Sequence, residues 1–382
     1  LVFQLPGAKT TKGENMFKLT QAAAGIAAAL LAFSAQAADF QIRGVIDLRL
    51  TVTHAKHGDT TLSMTPDNYI GSGFDFLGEE KLSGTTKVGF ALRNRFNPDT
   101  GAFQTQDKLF DYESQLYVEG PYGLIGAGRM SPFSASVGTQ GWMCPFDVFE
   151  AGYQDAGLQS TQQTTWAAYD NSLYYVTPTF KGFKAGLFYS FSGDAKENAR
   201  QSKNNRFWNA AIRYSDEKLS AMVSAEGDIR STDSDLKDGR VFRAAASYDF
   251  GRFKVMGGYN RAEHQYQYAY ATFNENLYSM TTASGEALKK GISSDQAWIG
   301  IRVPINQYEV VAQYQYLDGK VKDDGTKFKR HVLALGGYYY MSKRTLMYAD
   351  VSQSIGRGAL SWDNGGSDTN YTAFQVGMTH FF

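Results

Sequence analysis

The chain has few of the residues that build disulfide, metal and nucleic-acid sites. It contains one cysteine, which excludes an intramolecular disulfide and any multi-cysteine metal site; we predict that Cys144 is a free, half-buried thiol. Its 38 Lys and Arg residues are balanced by 38 Asp and Glu residues, so it lacks the basic excess typical of a nucleic-acid-binding protein. The five histidines lie without metal-site spacing at His54, His57, His264, His331 and His380. We predict no nucleic-acid partner and no cofactor.

Patterns for catalysis and for membrane-spanning helices are also missing. No glycine-rich phosphate loop follows a predicted strand, and we find no Ser/His pair on one outward strand face near a rim. His54 and His57, three residues apart, could bind a metal weakly, but solvated loop histidines are the more common arrangement. The apolar run at residues 22–33 is shorter than the about 20 residues that a helix needs to cross a bilayer. Because these catalytic patterns are missing, we predict that the chain is not an enzyme.

The N-terminal segment has the features of an export signal. Residues 1–15 precede Met16 and are interpreted as an upstream extension. Lys18, the apolar run and the small-x-small sequence Ala35-Gln36-Ala37 then follow in the order that signal peptidase requires. An alanine-rich buried helix is the alternative. We predict a signal peptide at residues 16–37 and one mature domain over residues 38–382.

The mature chain repeats a period-two pattern. In its first segment the apolar side chains share one face, namely Phe40, Ile42, Ile46, Leu48, Leu50 and Val52. The other face carries Gln41, Arg43, Asp47, Arg49 and Thr51. A helix would scatter these charges around its axis, whereas a strand places them on one side. Similar stripes recur to the last residue, where Phe374, Val376, Met378, His380 and Phe382 alternate.

Short turns and long loops alternate between these strands. The turns include Gly251-Arg252 and Asn306-Gln307, while residues 56–68, 130–165, 192–205, 229–240, 262–295, 318–328 and 355–370 are polar loops. A soluble β-sandwich could show the same alternation, but here aromatic residues mark the strand ends and ionic ones the opposite face. A strand with its share of turn and loop takes about 20 residues, which predicts sixteen strands. We predict an all-β, transmembrane antiparallel up-and-down β-barrel with a water-filled interior.

Several motifs occur in an ordered series along the mature chain. They are Gly44-Val45-Ile46-Asp47, Phe74-Asp75-Phe76-Leu77-Gly78-Glu79-Glu80, Phe96-Asn97-Pro98-Asp99-Thr100-Gly101, Gly128-Arg129, Asp170-Asn171-Ser172, Thr179-Phe180-Lys181-Gly182-Phe183, Met341-Ser342-Lys343-Arg344-Thr345 and Val376-Gly377-Met378-Thr379-His380-Phe381-Phe382. In order and spacing they resemble the Gram-negative general porins of β-proteobacteria. The resemblance implies a 16-stranded outer-membrane barrel that assembles as a homotrimer, with loop 3 folded into the lumen.

The same resemblance implies partners and a function. The barrel would lie among outer-membrane lipid and lipopolysaccharide and pass small hydrophilic solutes and ions by diffusion. Phe382, the terminal aromatic, resembles the signal read by the outer-membrane assembly machinery. A substrate-specific channel of the same fold is the alternative, for which the sequences Tyr266-Gln267-Tyr268 and Tyr338-Tyr339-Tyr340 could line a solute path.

Charged residues are expected to face each other across the pore. The basic wall is predicted to contain Arg43, Arg49, Lys87, Arg93, Arg95 and Arg129, and the acidic side of loop 3 to contain Asp147, Glu150 and Asp155. Opposed charges in a narrow pore orient dipolar solutes and bias ion selectivity. The alternative is that these side chains are merely solvated in the lumen.

Three arginine positions of the family are not occupied by arginine in this chain. They correspond to Gly73, Ser114 and Ala168. Arg93 and Arg95 are expected to fill the same space from the neighbouring strand. The anion preference of the family is therefore not transferred to this chain.

Overall fold

The computed structural model describes residues 39–66, 69–149, 156–162, 168–267, 280–360 and 369–382. Across these residues, eighteen antiparallel strands form one sheet, accompanied by short 3-10 helices at Cys144–Phe146, Leu158–Ser160 and Gln201–Lys203. The predicted signal peptide and the extension before it lie outside this part of the chain. In the described ranges, no helix has both the length and the apolar character to cross a membrane.

The strands are numbered in chain order. They are β1 (Asp39–Ala55), β2 (Thr60–Pro66), β3 (Gly73–Lys81), β4 (Lys87–Asn97), β5 (Ala102–Phe103), β6 (Glu113–Gly120), β7 (Gly123–Met130), β8 (Tyr169–Val176) and β9 (Phe183–Ser190). The second half contains β10 (Arg206–Ser215), β11 (Leu219–Ile229), β12 (Gly239–Asp249), β13 (Lys254–Gln265), β14 (Ile292–Ile305), β15 (Tyr308–Val321), β16 (Lys327–Tyr340), β17 (Thr345–Gly358) and β18 (Tyr371–Phe381).

Strand β1 closes the sheet into a barrel. It pairs with β18 on one side and with both β2 and β3 on the other. Because β2 and β3 follow each other along β1, they are two parts of one barrel-spanning strand, here called a stave. Among the described strands, the two-residue β5 pairs only with the end of β4. Within the described residues the barrel therefore has sixteen staves, which confirms the predicted fold and strand count.

The period-two pattern predicts correctly which side chains face inward. On β1, Ile42 and Ile46 are 58% and 42% exposed on the outside, whereas Asp47 and Arg49 are buried in the lumen. The barrel thus has an apolar exterior and a polar interior, as a transmembrane barrel requires.

A belt of aromatic residues surrounds the end of the barrel that carries the short turns. Phe183 packs against Tyr214 with ring centroids 4.7 Å apart, and Phe250 stacks on Phe253 at 4.8 Å. Tyr308 stacks on Tyr339 at 5.0 Å. Half-exposed aromatic side chains are stable where the lipid hydrocarbon meets the headgroups. The aromatic belt therefore marks one membrane interface.

The strands extend further into the long-loop end than the sequence predicts. The segment 56–68, predicted as a loop, contains β2, whose residues pair with the C-terminal half of β1. The predicted loops 262–295 and 318–328 are shortened because β13, β14, β15 and β16 continue into them. Cross-strand ion pairs support these extensions, including Lys329–Asp318 at 2.9 Å. Charged residues made these segments look like loops, although paired charges fit a solvated strand end equally well.

Candidate functional site

Loop 3, the segment between β7 and β8, lies inside the barrel. Trp298 of β14 donates from Nε1 to the Phe146 carbonyl at 2.9 Å. Arg243 of β12 donates to the Ser134 carbonyl, and Arg330 of β16 to the Ser160 carbonyl, both at 2.7 Å. These wall residues are far from β7 around the barrel, so the loop crosses the lumen. The predicted infolding of loop 3 is confirmed.

Small residues on the wall receive the side chains of loop 3. A Cβ at Gly186 would lie 2.4 Å from the ring of Phe133, and one at Gly300 would lie 2.1 Å from a methyl group of Val148. Glycine within a strand often marks such a close approach. The interior of the barrel therefore holds a packed apolar core on one side, in which Phe133, Trp142, Phe146, Tyr169, Phe188, Phe207 and Trp298 are buried.

Of the three predicted acidic residues of loop 3, only Asp147 is among the described residues. Glu150 and Asp155 lie outside them. The Asp147 carboxylate is buried and accepts hydrogen bonds from the backbone N–H groups of Phe149 at 3.1 Å and Leu158 at 3.4 Å. This carboxylate therefore links two parts of loop 3.

Charged side chains of alternating sign cross the inner face of four neighbouring strands. Arg43 of β1 lies 3.4 Å from Asp75 of β3, whose carboxylate also accepts a 2.9 Å hydrogen bond from Arg93 of β4. Arg93 in turn donates to Glu113 of β6 at 3.3 Å. The four residues are direct cross-strand neighbours.

Arg95 extends this row toward the long-loop end. Its guanidinium lies 3.4 Å from the Asp111 carboxylate and 4.7 Å from the centre of the Tyr112 ring. Together these charged residues form the charged wall, which comprises Arg43, Asp75, Arg93, Glu113, Arg95 and Asp111. Glu113 also accepts a 2.6 Å hydrogen bond from the Thr139 N–H, which connects the charged wall to loop 3.

Two of the remaining predicted basic residues lie apart from the charged wall. Arg49 faces the lumen and donates to Thr65 at 2.8 Å. Lys87 lies near the short-turn end and forms ion pairs with Glu79 and Glu119 at 2.9 and 3.1 Å.

Arg129 occupies a bulge where β7 leads into loop 3. It pairs across the sheet with Ser114, forms a 2.8 Å ion pair with Asp170 and donates from Nε to the Asp111 carbonyl at 2.6 Å. Its alternation places it on the same strand face as the exposed Ile125. The structure therefore brings together Arg43, Arg93 and Arg95 among the predicted basic residues.

Sequence reasoning missed the carboxylates of the charged wall. Asp75 lies in a quoted motif, but its role depends on register, which one strand alone does not reveal. The register also places Arg95 directly opposite Gly73, one of the three altered arginine positions. A Cβ at Gly73 would lie 2.0 Å from the Asn94 carbonyl oxygen. A side chain at this position would require the backbone to move, and Arg95 lies directly opposite on the neighbouring strand.

Other candidate residues do not form a chemical centre. Across the described ranges, no group of three His, Cys, Asp or Glu side chains could hold a metal ion. Cys144 is half-buried at the start of a 3-10 helix in loop 3. In the sequence Tyr338-Tyr339-Tyr340, Tyr339 packs on Tyr308 in the aromatic belt at the membrane interface, whereas Tyr338 is buried in the lumen.

Comparisons with known proteins agree with this architecture. A family described as Gram-negative porin matches residues 22–359. An outer membrane porin protein of Bordetella pertussis is 25% identical over 375 residues, which covers 90% of each chain. Outer membrane porin protein 32 of Delftia acidovorans is 24% identical over 379 residues, covering 94% of this chain and 99% of its own.

Solved structures show the same fold at low sequence identity. An anion-selective porin from Comamonas acidovorans superposes with a TM-score of 0.70 at 21% identity, covering 91% of this chain and 100% of that one. OmpT of Vibrio cholerae superposes with a TM-score of 0.59 at 14% identity, covering 91% and 99%. The closed barrel is therefore shared well beyond recognisable sequence similarity.

Proposed function

The chain belongs to the Gram-negative porin family, and we propose that solutes cross it along the part of the charged wall that loop 3 does not cover, where Arg43 is exposed. It is a multi-pass outer-membrane protein that forms a water-filled channel for the diffusion of small hydrophilic solutes and ions. Its family and fold are those of non-enzymatic channels. We propose that this chain too has no catalytic activity.

The observation that carries the proposal is the charge pattern of the charged wall. It contains three arginines and three carboxylates, and each arginine has a carboxylate within 3.4 Å. Such alternating charges produce a strong local field with little net charge, which orients water and polar solutes without excluding one sign of ion. We therefore propose a general diffusion channel of weak ion selectivity. The constriction residues on the wall are Arg43, Arg93 and Arg95. Asp147 holds two parts of loop 3 together through its hydrogen bonds to their backbone.

Single-channel recording of the refolded protein in a planar bilayer tests this function. Expected results are discrete conductance steps and a reversal potential near zero in a salt gradient. Liposome swelling with sugars of graded size should show a smooth size cutoff. Saturation with one sugar would instead indicate a substrate-specific channel.

We propose that three copies assemble through the outer face of the first staves. This face carries a cluster of aromatic rings, in which Phe40 stacks on Phe76 at 6.4 Å and Phe74 packs edge to face against it at 5.5 Å. Apolar aromatic surface of this kind is typical of interfaces. Conductance steps that occur in groups of three would support the trimer, and single steps throughout would contradict it.

We also propose that the outer rim binds the phosphates of lipopolysaccharide. Outward-facing cations lie above the apolar band at the long-loop end, at Arg240, Lys320, Lys329 and Arg357. Cations at this level attract anionic headgroups. Co-purification of lipopolysaccharide should fall when Arg240 and Arg357 are both replaced by Ala.

Two proposals concern the route to the membrane. Phe382 remains the proposed signal for the assembly machinery, since its ring is half-exposed at the interface end of the last strand. Cleavage after Ala37 is proposed as well. Intact-mass measurement of protein from outer membranes should give a chain that begins at Ala38.

A further inference from the structure

The second stave is interrupted at the level of the lumen. β2 ends at Pro66 and β3 begins at Gly73, although both pair with β1. Residues 69–72 leave the wall and project inward. The ring of Tyr69 lies 5.3 Å from that of Tyr338 on β16, edge to face. Because β1, β18 and β17 lie between these two staves, the segment extends across their inner faces.

Asp47 of β1 holds this segment in place. Its Oδ2 accepts hydrogen bonds from the backbone N–H groups of Tyr69 and Ile70 at 2.7 and 2.9 Å. Its own N–H donates to Ser72 Oγ at 2.9 Å, and Ser72 donates to the Asp47 carbonyl at 3.1 Å. Tyr348 donates to the other carboxylate oxygen at 2.5 Å. The Asp47 side chain is fully buried, so these bonds form in a site shielded from bulk water.

The segment packs against loop 3 and against a cluster that loop 3 shares with the barrel wall. Ile70 packs against the buried Ala135 and Val137, near the start of the loop. Tyr69 packs against the cluster that contains Val148 and Phe149, further along the loop. Residues 69–72 therefore lie against loop 3, on the inner side of β1, β18 and β17.

We propose that residues 69–72 form a second constriction segment, positioned by Asp47, which sets the size limit of the channel jointly with loop 3. The inference rests on the proposed function and adds to it a specificity-determining segment. Two infolded segments in contact narrow a pore more than either alone. Asp47 acts as a positioning residue, because it holds the segment and its own carboxylate is shielded from the solute.

A pair of substitutions at Asp47 separates position from charge. Both Asp47→Ala and Asp47→Asn remove the negative charge, but Asn retains an oxygen that can accept from Tyr69 and Ile70. We expect Asp47→Ala to raise single-channel conductance at least about 1.5-fold with added noise, and Asp47→Asn to remain close to wild type. Equal conductance changes in both variants would attribute the effect to charge and overturn the proposal.

A second test leaves Asp47 intact, which keeps the proposal testable if Asp47→Ala does not fold. The double variant Tyr69→Ala/Ile70→Ala trims the two side chains that enter the lumen. Liposomes carrying it should admit larger sugars faster, relative to a small sugar, than wild type. The matched control is Leu62→Ala/Met64→Ala, which trims two outward side chains of β2 that are exposed on the barrel. Unchanged size discrimination in the double variant would overturn the proposal, whereas absence of channels in wild type would contradict the proposed function itself.

Discussion

Phe382 and Gly44 exchange both of their backbone hydrogen bonds, at 3.0 and 2.9 Å, and the Phe382 ring covers the glycine. A Cβ at Gly44 would lie 2.3 Å from the ring and 2.8 Å from the Gly73 carbonyl oxygen. The last residue of the chain thus packs against and pairs with the first stave. Glycine is needed at position 44 because the Phe382 ring occupies the space that a side chain would fill.

The first prediction is that Gly44→Ala weakens the contact between Phe382 and β1 and so destabilises the barrel. The added methyl forces the Phe382 ring or the β1 backbone to move, at a cost of about 1–3 kcal/mol in the free energy of unfolding. The temperature at which unboiled protein loses its folded mobility in gel electrophoresis should fall. Gly84→Ala is the matched control, since nothing lies within 4 Å of a Cβ at Gly84. Equal stability of the two variants would contradict the prediction.

The second prediction concerns ion selectivity. Arg93→Ala combined with Arg95→Ala leaves Glu113 and Asp111 without their arginine partners and Asp75 with Arg43 alone, so the charged wall becomes negative. The reversal potential in a tenfold salt gradient should shift toward cations by at least about 10 mV.

Arg129→Ala is the control for this shift. It removes one cation that lies at the bulge of β7, where Asp170 keeps a second partner, Lys108, at 2.8 Å. We expect little change in reversal potential. A shift as large as that of the double variant would return Arg129 to the pore wall, as the sequence predicts.

The third prediction is that Trp298→Phe loosens loop 3. The change removes the 2.9 Å hydrogen bond and leaves the Phe146 carbonyl without this buried donor, which costs about 1–3 kcal/mol. Single-channel recordings should show more frequent brief closures or fluctuations. Trp208→Phe is the matched control because Trp208 shares the outward face of β10 with Ile212. Quiet recordings from Trp298→Phe would argue against this anchor.

The fourth prediction concerns pH and the turn between β10 and β11. Backbone N–H groups of Leu219 and Lys218, at 2.7 and 2.8 Å, and the hydroxyl of Tyr214 lower the pKa of the Asp216 carboxyl. Because the pKa is lower in the folded state, Asp216 stabilises the fold above its unfolded value, and this contribution is lost as pH falls through the folded value.

Unfolding midpoints of wild type and Asp216→Ala should therefore differ at neutral pH and converge in acid. Glu217→Ala, in the same exposed turn, serves as the control. A difference between wild type and Asp216→Ala that stays constant down to acidic pH would contradict the prediction.

The sequence predicts the barrel well because its evidence is local. Alternation on β1 separates Ile46 from Asp47 without knowledge of any partner strand, and turn residues such as Asn306 mark where strands reverse. The charged wall is different, since pairing Arg93 with both Asp75 and Glu113 requires the register of three strands.

The infolded segments depend on tertiary contacts that no local pattern contains. Residues 69–72 follow the polar sequence Thr65-Pro66-Asp67-Asn68, which is typical of an outer loop. Their inward path becomes apparent only from the bonds to Asp47. Asp147 is a similar case, because an acidic loop residue can face solvent or, as here, bind its own backbone.

The pairing of β1 with β18 has a consequence for biosynthesis. Until β18 has formed, β1 and β17 each present a row of unpaired N–H and C=O groups, and such edges add further strands readily, including those of other chains. A nascent or truncated chain is therefore exposed to aggregation throughout its transit. We expect passage through the periplasm to depend on a holding chaperone that shields both edges until the cylinder can be completed.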